Sequence, residues 1–399
     1  MRNSAPRVKR VLGRGPIPKG LTMSSSPSSS SPSSSSPSSS SPSPNSPAHG
    51  LAALGWDDTL AEQFTEYESR GLVAARVTRV DRGRCHVLTA SGSVRAGSTA
   101  VTTSDPEHTV CTGDWAALEL GPQPRVVAVL PRRGVIARAS VGRTSHRQVL
   151  AANVDTACVV VSLAAPIKPG RIERLLALAW DAGTTPLIVL TKVDAAECDP
   201  GTAAAEVSAL AIGVDVVTVS ARTGEGIDEL ARRLPGTTVL LGPSGAGKSS
   251  LTNALLGEDR MDTNEVRATD GKGRHTTVHR ELFPVPGGGV LIDTPGLRGI
   301  GVHDVGDGIE HVFGDIEEMA QGCGFRDCRH RSEPRCAVQD AVTDGRLDLE
   351  RLDRYRRMLR ESEWAASRGD ARQAGKRTAA DKAITRDIKA LYRLRGRRD

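Results

Sequence analysis

Two kinds of hydrophobic pattern divide the chain. Residues 51–67 have a helical period, with Asp57 or Asp58 placed to cap the helix start. Short apolar runs broken by glycine-containing turns follow, at 72–81, 84–90, 93–96, 114–120 and 125–130. Five short strands predict a small barrel, for which an oligonucleotide-binding fold is one candidate among several.

The pattern changes after Asn153. Continuous apolar runs such as ACVVVSLA and PLIVL alternate there with helical periods such as RIERLLALAW. Unbroken apolar strands between helices are typical of a parallel sheet that is covered by helices on both faces. The second part of the chain is therefore predicted to contain an α/β domain.

Composition changes the picture mainly at the two ends. Residues 24–47 are almost entirely serine and proline, and a segment with so little apolar surface is expected to be disordered. Residues 351–399 carry 16 Lys and Arg against 7 Asp and Glu, a local net charge of +9. Since the whole chain has a net charge of +6, the rest of the chain has a net charge of −3. These basic ends favour a polyanionic partner such as RNA, although solvated surface charge gives the same pattern.

Targeting signals are not evident in the sequence. No window approaches the ~20 apolar residues of a membrane span, and the basic first 22 residues contain no apolar stretch of signal-peptide length. We therefore expect a cytoplasmic protein with no membrane partner, and we expect it to be a monomer. Seven cysteines in such a chain do not indicate a disulfide framework.

A glycine-rich segment carries the clearest candidate chemistry. Residues 242–249 read GPSGAGKS, between the strand-like TVLL and the helical SSLTNALLG. Glycines allow successive backbone N–H groups to face phosphate oxygens at a helix N-terminus, the lysine supplies a cation, and the serine hydroxyl can ligate Mg²⁺. The predicted phosphate-binding residues are Gly242, Pro243, Ser244, Gly245, Ala246, Gly247, Lys248, Ser249 and Ser250. Lys248 is also a candidate catalytic residue, and Ser249 is a candidate magnesium ligand.

Two segments earlier in the chain are candidates for reading the base. The sequence TKVD follows PLIVL, which places Asp194 at the carboxyl end of a strand. A carboxylate there can accept hydrogen bonds from the N1–H and 2-amino groups of guanine, a pair that adenine lacks, although a surface turn would give the same triplet. The predicted base-binding residues are Thr191, Lys192, Val193 and Asp194, with Ser220 and Ala221 after the next strand.

A fourth element follows the strand VLI. Asp293-Thr294-Pro295-Gly296 fits the acidic segment that reaches Mg²⁺ through water, with Gly296 near the γ-phosphate. All four elements end a predicted strand, which favours GTP over ATP. The base-reading segments precede the glycine-rich loop, whereas in ordinary GTPases they follow it. This order predicts a circular permutation.

A cysteine cluster follows these motifs. Cys323, Cys328, His330 and Cys336 offer three thiolates and one imidazole within fourteen residues, and tetrahedral Zn²⁺ in a closed, structural site is the expected occupant, one per chain. Cys85, Cys111, Cys158 and Cys198 are interpreted as ordinary reduced cysteines.

In this order, the motifs resemble the ribosome small subunit-dependent GTPase A family over residues 71–357, with GDW at 113–115, AANVD at 151–155 and GRHTT at 273–277. The resemblance implies an oligonucleotide-binding-fold domain, a permuted GTPase domain and a zinc domain that bind the small ribosomal subunit and its rRNA late in maturation. It also implies hydrolysis of GTP to GDP and phosphate that the subunit stimulates. The Ser/Pro segment and the basic tail are less typical of the family, and nothing is transferred to them.

The GRHTT segment lies where a first switch is expected. Thr276 or Thr277 is predicted to bring a hydroxyl to Mg²⁺ and an amide to the γ-phosphate, and the sequence does not separate the two. Leu297 stands where many GTPases have a water-positioning glutamine, so intrinsic hydrolysis is expected to be slow. His275 is a candidate catalytic substitute, and contact with solvent or rRNA is its alternative role.

The predicted fold class is α/β: a circularly permuted P-loop GTPase domain, preceded by a small β-barrel and followed by a mostly helical zinc-binding domain. The predicted segments are a basic and Ser/Pro-rich leader 1–50, a helix plus barrel 51–138, the GTPase domain 139–305, the zinc domain 306–365 and a basic tail 366–399. Two other functions stay open. One is a zinc-containing rRNA-binding adaptor with nucleotide as a structural ligand, and the other is a permuted GTPase acting on the large subunit.

Overall fold

The computed structural model describes residues 47–103, 108–139, 147–261, 280–294, 306–365 and 367. The Ser/Pro segment lies outside these ranges except for Pro47, which begins the first helix. Nearly all of the basic tail also lies outside them. Within the described residues, no helix combines the length and the apolar character that a membrane span requires.

Two short helices precede the barrel, where the sequence predicted a single helix over 51–67. The first is α1 (Pro47–Ala52) and the second is α2 (Asp58–Ser69). The prediction of one helix is wrong because Gly55 has a φ of +90°, a left-handed conformation that ends the first helix. Asp57 then caps α2, because its side chain accepts a hydrogen bond from the backbone amide of Leu60 at 2.9 Å.

Five strands form a closed barrel. They are β1 (Val73–Asp81), β2 (Arg84–Thr89), β3 (Gly92–Gly97), β4 (Trp115–Glu119) and β5 (Arg125–Val129). Their order is β1-β2-β3-β5-β4, and β4 pairs again with β1. The inward-facing side chains are small or β-branched, including Val77, Val87 and Val126, and all three are fully buried. A closed five-stranded barrel fits the predicted oligonucleotide-binding fold.

A two-stranded sheet that was not predicted follows the barrel. It pairs β6 (Ile136–Ala139) with β7 (Arg147–Ala151) in antiparallel fashion. Residue Ala151 at the end of β7 is fully buried, so this sheet carries the chain from the barrel into the core of the next domain.

The α/β domain is built on a six-stranded sheet. Its strands are β8 (Thr156–Ser162), β9 (Thr185–Thr191), β10 (Asp215–Val219), β11 (Thr237–Leu241), β12 (Glu281–Pro284) and β13 (Val290–Asp293). Their order is β10-β9-β8-β11-β13-β12, with only β12 antiparallel to its neighbour in this sheet. The helices are α3 (Pro169–Asp181), α4 (Pro200–Leu210), α5 (Ile227–Arg232) and α6 (Lys248–Leu256). Apolar side chains bury both faces of the sheet, as its continuous hydrophobic runs predicted.

The barrel is joined to this sheet through backbone contacts. Arg79 of β1 pairs with Glu281 of β12, so barrel and sheet are continuous. Gly113 approaches the Ala152 carbonyl so closely that a Cβ atom on the glycine would lie 2.3 Å from its oxygen. Asn153 fills the same joint, since its side-chain amide donates to the Gly113 carbonyl at 3.0 Å. The GDW and AANVD motifs therefore pack against each other.

The last described part of the chain is helical. It contains α7 (Gly306–Val312), α8 (Gly314–Ala320), α9 (Ala337–Thr343) and a longer helix, α10, over 349–365. Helix α7 crosses α3 at Gly308, where an added Cβ would lie 2.0 Å from the Ala177 carbonyl oxygen. This close crossing fixes α7 on the outer face of α3.

Candidate functional site

The glycine-rich loop joins β11 to α6, as predicted. Gly245 and Gly247 have φ values of +82° and +93°, which L side chains rarely adopt. Gly242 packs so that an added Cβ would lie 2.7 Å from the Val160 carbonyl oxygen. The loop therefore needs glycine at these three positions to bring its backbone amides to the start of a helix, where anions bind.

Lys248 begins α6 and is turned back over the loop. Its Nζ donates to the carbonyls of Gly242 and Pro243, both at 3.0 Å. The side chain is buried, and burial lowers the pKa of the amine while nearby Asp293 opposes that shift. A partly desolvated ammonium in this place is suited to contact phosphate oxygens.

Asp293 lies at the carboxyl end of β13, beside the loop. Leu240 of β11 is its partner in the sheet register. The carboxylate is almost fully buried, and neither of its oxygens has a hydrogen-bond partner among the described residues. Burial raises its pKa to about 6, against the attraction of Lys248. A buried carboxylate with both oxygens free fits the requirements of a hydrated divalent cation such as Mg²⁺.

The predicted base-reading segments contact the same loop. Thr191 donates from Oγ1 to the Ala246 carbonyl at 2.6 Å. Lys192, which has a φ of +60°, donates from Nζ to the Gly245 carbonyl at 2.9 Å. Two side chains of the earlier segment are thus hydrogen-bonded directly to the glycine-rich loop, and these contacts hold the two motifs in a fixed relation.

Asp194 is held by the segment that follows β10. Its Oδ1 accepts from the Ser220 hydroxyl at 2.5 Å, and its Oδ2 accepts from Arg222 Nε at 2.6 Å. The Ser220 hydrogen bond and the Arg222 ion pair keep the pKa of Asp194 below its ordinary value. Ser220 was predicted at this site. The pairing of Arg222 with Asp194 was missed, and nothing in the local sequence specifies it.

The strand order explains how a rearranged chain forms this site. Strands β9, β10, β11 and β13 are parallel, so their carboxyl ends meet at one edge of the sheet. The four motifs follow these strands, and the base-reading pair precedes the loop in the chain. The predicted circular permutation is confirmed.

Several predicted residues cannot be placed in this way. His275, Thr276, Thr277 and Gly296 lie outside the described residues, as does Leu297. Their roles stay predictions.

The four predicted metal ligands converge in the helical domain. The ligand atoms of Cys323, Cys328, His330 and Cys336 all lie within 4.8 Å of one another. His330 Nδ1 is 3.6 Å from Cys323 Sγ and 3.5 Å from Cys336 Sγ, so Nδ1 is the nitrogen directed at the centre. None of the seven cysteines forms a disulfide. Three sulfur atoms and one imidazole nitrogen at these separations fit a four-coordinate metal ion.

Comparison with known proteins agrees with this geometry. The model of a family described as RsgA GTPase matches residues 129–303. A small ribosomal subunit biogenesis GTPase RsgA from Streptomyces coelicolor is 53% identical over 327 residues, covering 81% of this chain and 89% of that protein. A protein of the same name from Opitutus terrae is 40% identical over 364 residues, covering 87% of this chain and 99% of that protein.

Two solved structures share the fold. The crystal structure of YjeQ from Thermotoga maritima matches with a TM-score of 0.53 at 25% identity, covering 73% of this chain and 98% of that one. The structure of YloQ, described as a circularly permuted GTPase, matches with a TM-score of 0.52 at 24% identity, covering 75% and 96%. With the sequence identities above extending over most of both chains, this chain belongs to the RsgA family of small ribosomal subunit biogenesis GTPases and is a GTP-hydrolysing enzyme.

Proposed function

We propose that this GTPase binds the small ribosomal subunit and its rRNA, assists late maturation of that subunit, and hydrolyses GTP to GDP and phosphate at a rate that the subunit stimulates. The names of its relatives support the partner. The observation that carries the proposal is the attachment of the barrel to β12, the strand that pairs with the Asp293 strand β13. An RNA-binding surface on the barrel would be coupled to the nucleotide site through two adjacent strands.

The contacts at the sheet edge support the following proposed nucleotide roles. The loop amides and Lys248 bind phosphate oxygens, and Asp194 reads guanine through its carboxylate. Ser249, Asp293 and either Thr276 or Thr277 would hold Mg²⁺, which would neutralise phosphate charge. His275 is the candidate for positioning water, since Leu297 has no hydrogen-bonding side chain.

The helical domain is proposed to hold one structural Zn²⁺. Three thiolates and His330 would supply four ligands to the ion, which would leave no position for a reacting ligand. Atomic emission analysis of purified protein is expected to give one zinc per chain, and the variant C323S is expected to lose it. A preparation that is folded and active without any bound metal would contradict this assignment.

The barrel and the helical domain both lie next to segments that are expected to contact the nucleotide. This position suggests how the nucleotide state could change ribosome binding. The barrel contacts β12, the strand that follows the predicted first switch, and α7 follows the acidic segment 293–296 along the chain. Ordering of the first segment by GTP would therefore act on the barrel, and ordering of the second would act on the helical domain. A ribosomal partner also implies action in the cytoplasm, and we propose that the protein acts as a monomer.

GTP turnover tests the proposal. Phosphate release is measured for the full chain alone, with purified small subunits and with purified large subunits. We expect slow turnover alone and strong stimulation by small subunits only, and the variant K248A is expected to abolish all turnover. Equal stimulation by large subunits, or none by small subunits, would overturn the proposed partner.

A further inference from the structure

The base-reading carboxylate is separated from the hollow that lies next to it. A hollow of about 460 Å³ opens beside the glycine-rich loop. One wall is Ala221 and Arg222, and the other comes from α6 and the turn after it, including Asn253 and Asp259. Asp194 does not line the hollow, but it accepts a hydrogen bond from Arg222, which does line it. Arg222 therefore connects the carboxylate of Asp194 to one wall of the hollow.

The two members of this ion pair differ greatly in exposure. The Arg222 side chain is 75% exposed, whereas that of Asp194 is 13% exposed. The other oxygen of Asp194 is held by Ser220, a fully buried residue. The serine contact thus belongs to the fixed framework of the site. The arginine contact is exposed on the solvent side and can be exchanged at small energetic cost.

Guanine needs the atoms that Arg222 covers. Recognition through Asp194 requires both carboxylate oxygens to accept from the base edge, and Arg222 Nε already donates to Oδ2 while its side chain covers the approach. We propose that Arg222 is a gate on the base-reading carboxylate: guanine gains access to Asp194 only when the guanidinium moves away, so Arg222 slows nucleotide entry. This inference rests on the proposed function of Asp194.

A displaced guanidinium has other carboxylates within the same hollow. Glu258 and Asp259 line the wall opposite Arg222. Glu258 already pairs with Arg260 at 2.6 Å, and Asp259 accepts a long hydrogen bond of 3.5 Å from Asn253. Movement of Arg222 toward this wall would free Asp194 without leaving the arginine far from negative charge.

Stopped-flow association of a fluorescent GDP analogue tests the gate. The variant R222A is expected to raise the association rate constant about two- to fivefold, because an exposed ion pair of this kind is worth little. The variant R233A is the matched control. It removes the same charge from the same domain, and Arg233 pairs with Glu229 and Asp215 instead. It is expected to leave association unchanged or to slow it slightly through weaker attraction of the phosphates.

A second set of variants, which lack the Asp194 carboxylate, distinguishes a gate at Arg222 from a general effect of R222A on the loop. The variant D194N lacks the carboxylate that holds Arg222. It is measured with xanthosine diphosphate, because the 2-oxo group of xanthine can accept a hydrogen bond from the new amide. Adding R222A there is expected to leave association unchanged. An acceleration of the same size in that background would overturn the gate.

The remaining outcomes are also decisive. If the unmodified chain binds GDP and R222A associates no faster than R233A, the gate is wrong and the proposed function stands. If the unmodified chain does not bind guanine nucleotides at all, the proposed function itself fails.

Discussion

The barrel and the helical domain are joined to the GTPase sheet by different kinds of contact. The barrel joint is formed largely by backbone and contains one buried cation. Arg76 of β1 is 1% exposed and donates to the Leu54 carbonyl at 3.3 Å, the Asn153 carbonyl at 3.4 Å and Thr237 Oγ1 at 3.0 Å. It also stacks on Trp115, with 4.8 Å between the guanidinium carbon and the ring centroid.

The helical domain is joined by an ion network instead. Glu173 of α3 is fully buried and accepts from Arg354 at 3.0 Å and from Arg351 at 3.4 Å. Arg351 reaches across to Asp315 at 2.8 Å and donates to the carbonyls of Leu210 and Val312. One buried carboxylate therefore connects the GTPase domain to two arginines of α10.

The difference concerns what each joint can transmit. The barrel shares a hydrogen-bonded sheet with the strand next to Asp293, so displacement of the barrel acts on the nucleotide site through backbone. The helical domain packs on helix α3, and the ion pairs between α10 and Glu173 specify one position of that domain on α3. Buried charges add little net stability, but removing one partner is costly. The two joints should therefore respond differently to single substitutions.

The largest expected effect is at Glu173. The variant E173Q removes the buried carboxylate charge that Arg351 and Arg354 share, and we expect a loss of about 3 kcal/mol in the free energy of unfolding. Urea denaturation measures it. The matched control is E361Q, because Glu361 pairs with Arg174 across the same two helices at a partly exposed site, and it should cost less than about 1 kcal/mol. Equal losses in the two variants would contradict a network centred on Glu173.

A smaller effect is expected at Arg76. The variant R76M keeps the bulk of the side chain but leaves two carbonyls and a hydroxyl inside the joint without their donor, at a cost of about 2 kcal/mol. Trp56 and Trp115 lie in this joint, 4.8 Å apart between ring centroids, so their fluorescence reports on it. The control R79M affects a partly exposed pair with Asp81 and should change little. Unfolding of R76M that matches R79M would show that the buried cation does not hold the joint.

The same two residues show where sequence patterns stop being informative. Arg76 alternates with Ala75 and Val77, which face the barrel interior, so the pattern assigns Arg76 to the outer, solvent-facing side. Glu173 lies in the helical run RIERLLALAW and reads as part of a solvated face. Both outer faces are covered by another domain. A local pattern does not encode that, because the covering residues are up to about 180 positions away.

The placement of the four nucleotide-site motifs in the fold was predicted far better. Its motifs are short, each follows one strand, and parallel strands bring their carboxyl ends to one edge whatever the chain order. The Cys₃His spacing likewise specified a cluster that the structure places together. Arg222 was missed as a partner of Asp194, since an exposed arginine can pair with any nearby carboxylate.

The smallest effect is expected at Asp293, and it has the opposite sign. Both domains connect to this residue, because β12 pairs its strand with the barrel strand β1 and the chain after it continues to α7. Burial raises the pKa of Asp293 to about 6 in the fold, above the ordinary value of an aspartate. Ionised Asp293 therefore costs stability above that pH, and the cost disappears as the pH falls toward 4. The shift corresponds to about 3 kcal/mol at pH 8, and burying an unpaired amide offsets most of it. The variant D293N, measured in buffer without Mg²⁺, is therefore expected to be more stable than the unmodified chain by about 1 kcal/mol at pH 8 and no more stable at pH 4.

The gain in stability should come with a loss of turnover. An amide is a poorer partner than a carboxylate for Mg²⁺, so D293N is expected to lose GTP hydrolysis while its melting temperature rises. Thermal unfolding at the two pH values and phosphate release with small subunits measure the two effects on one preparation. A D293N protein that is less stable than the unmodified chain at pH 8 would mean that the carboxylate is satisfied in solution without a bound cation. In that case the free oxygens of Asp293 would no longer support a magnesium site at the end of β13.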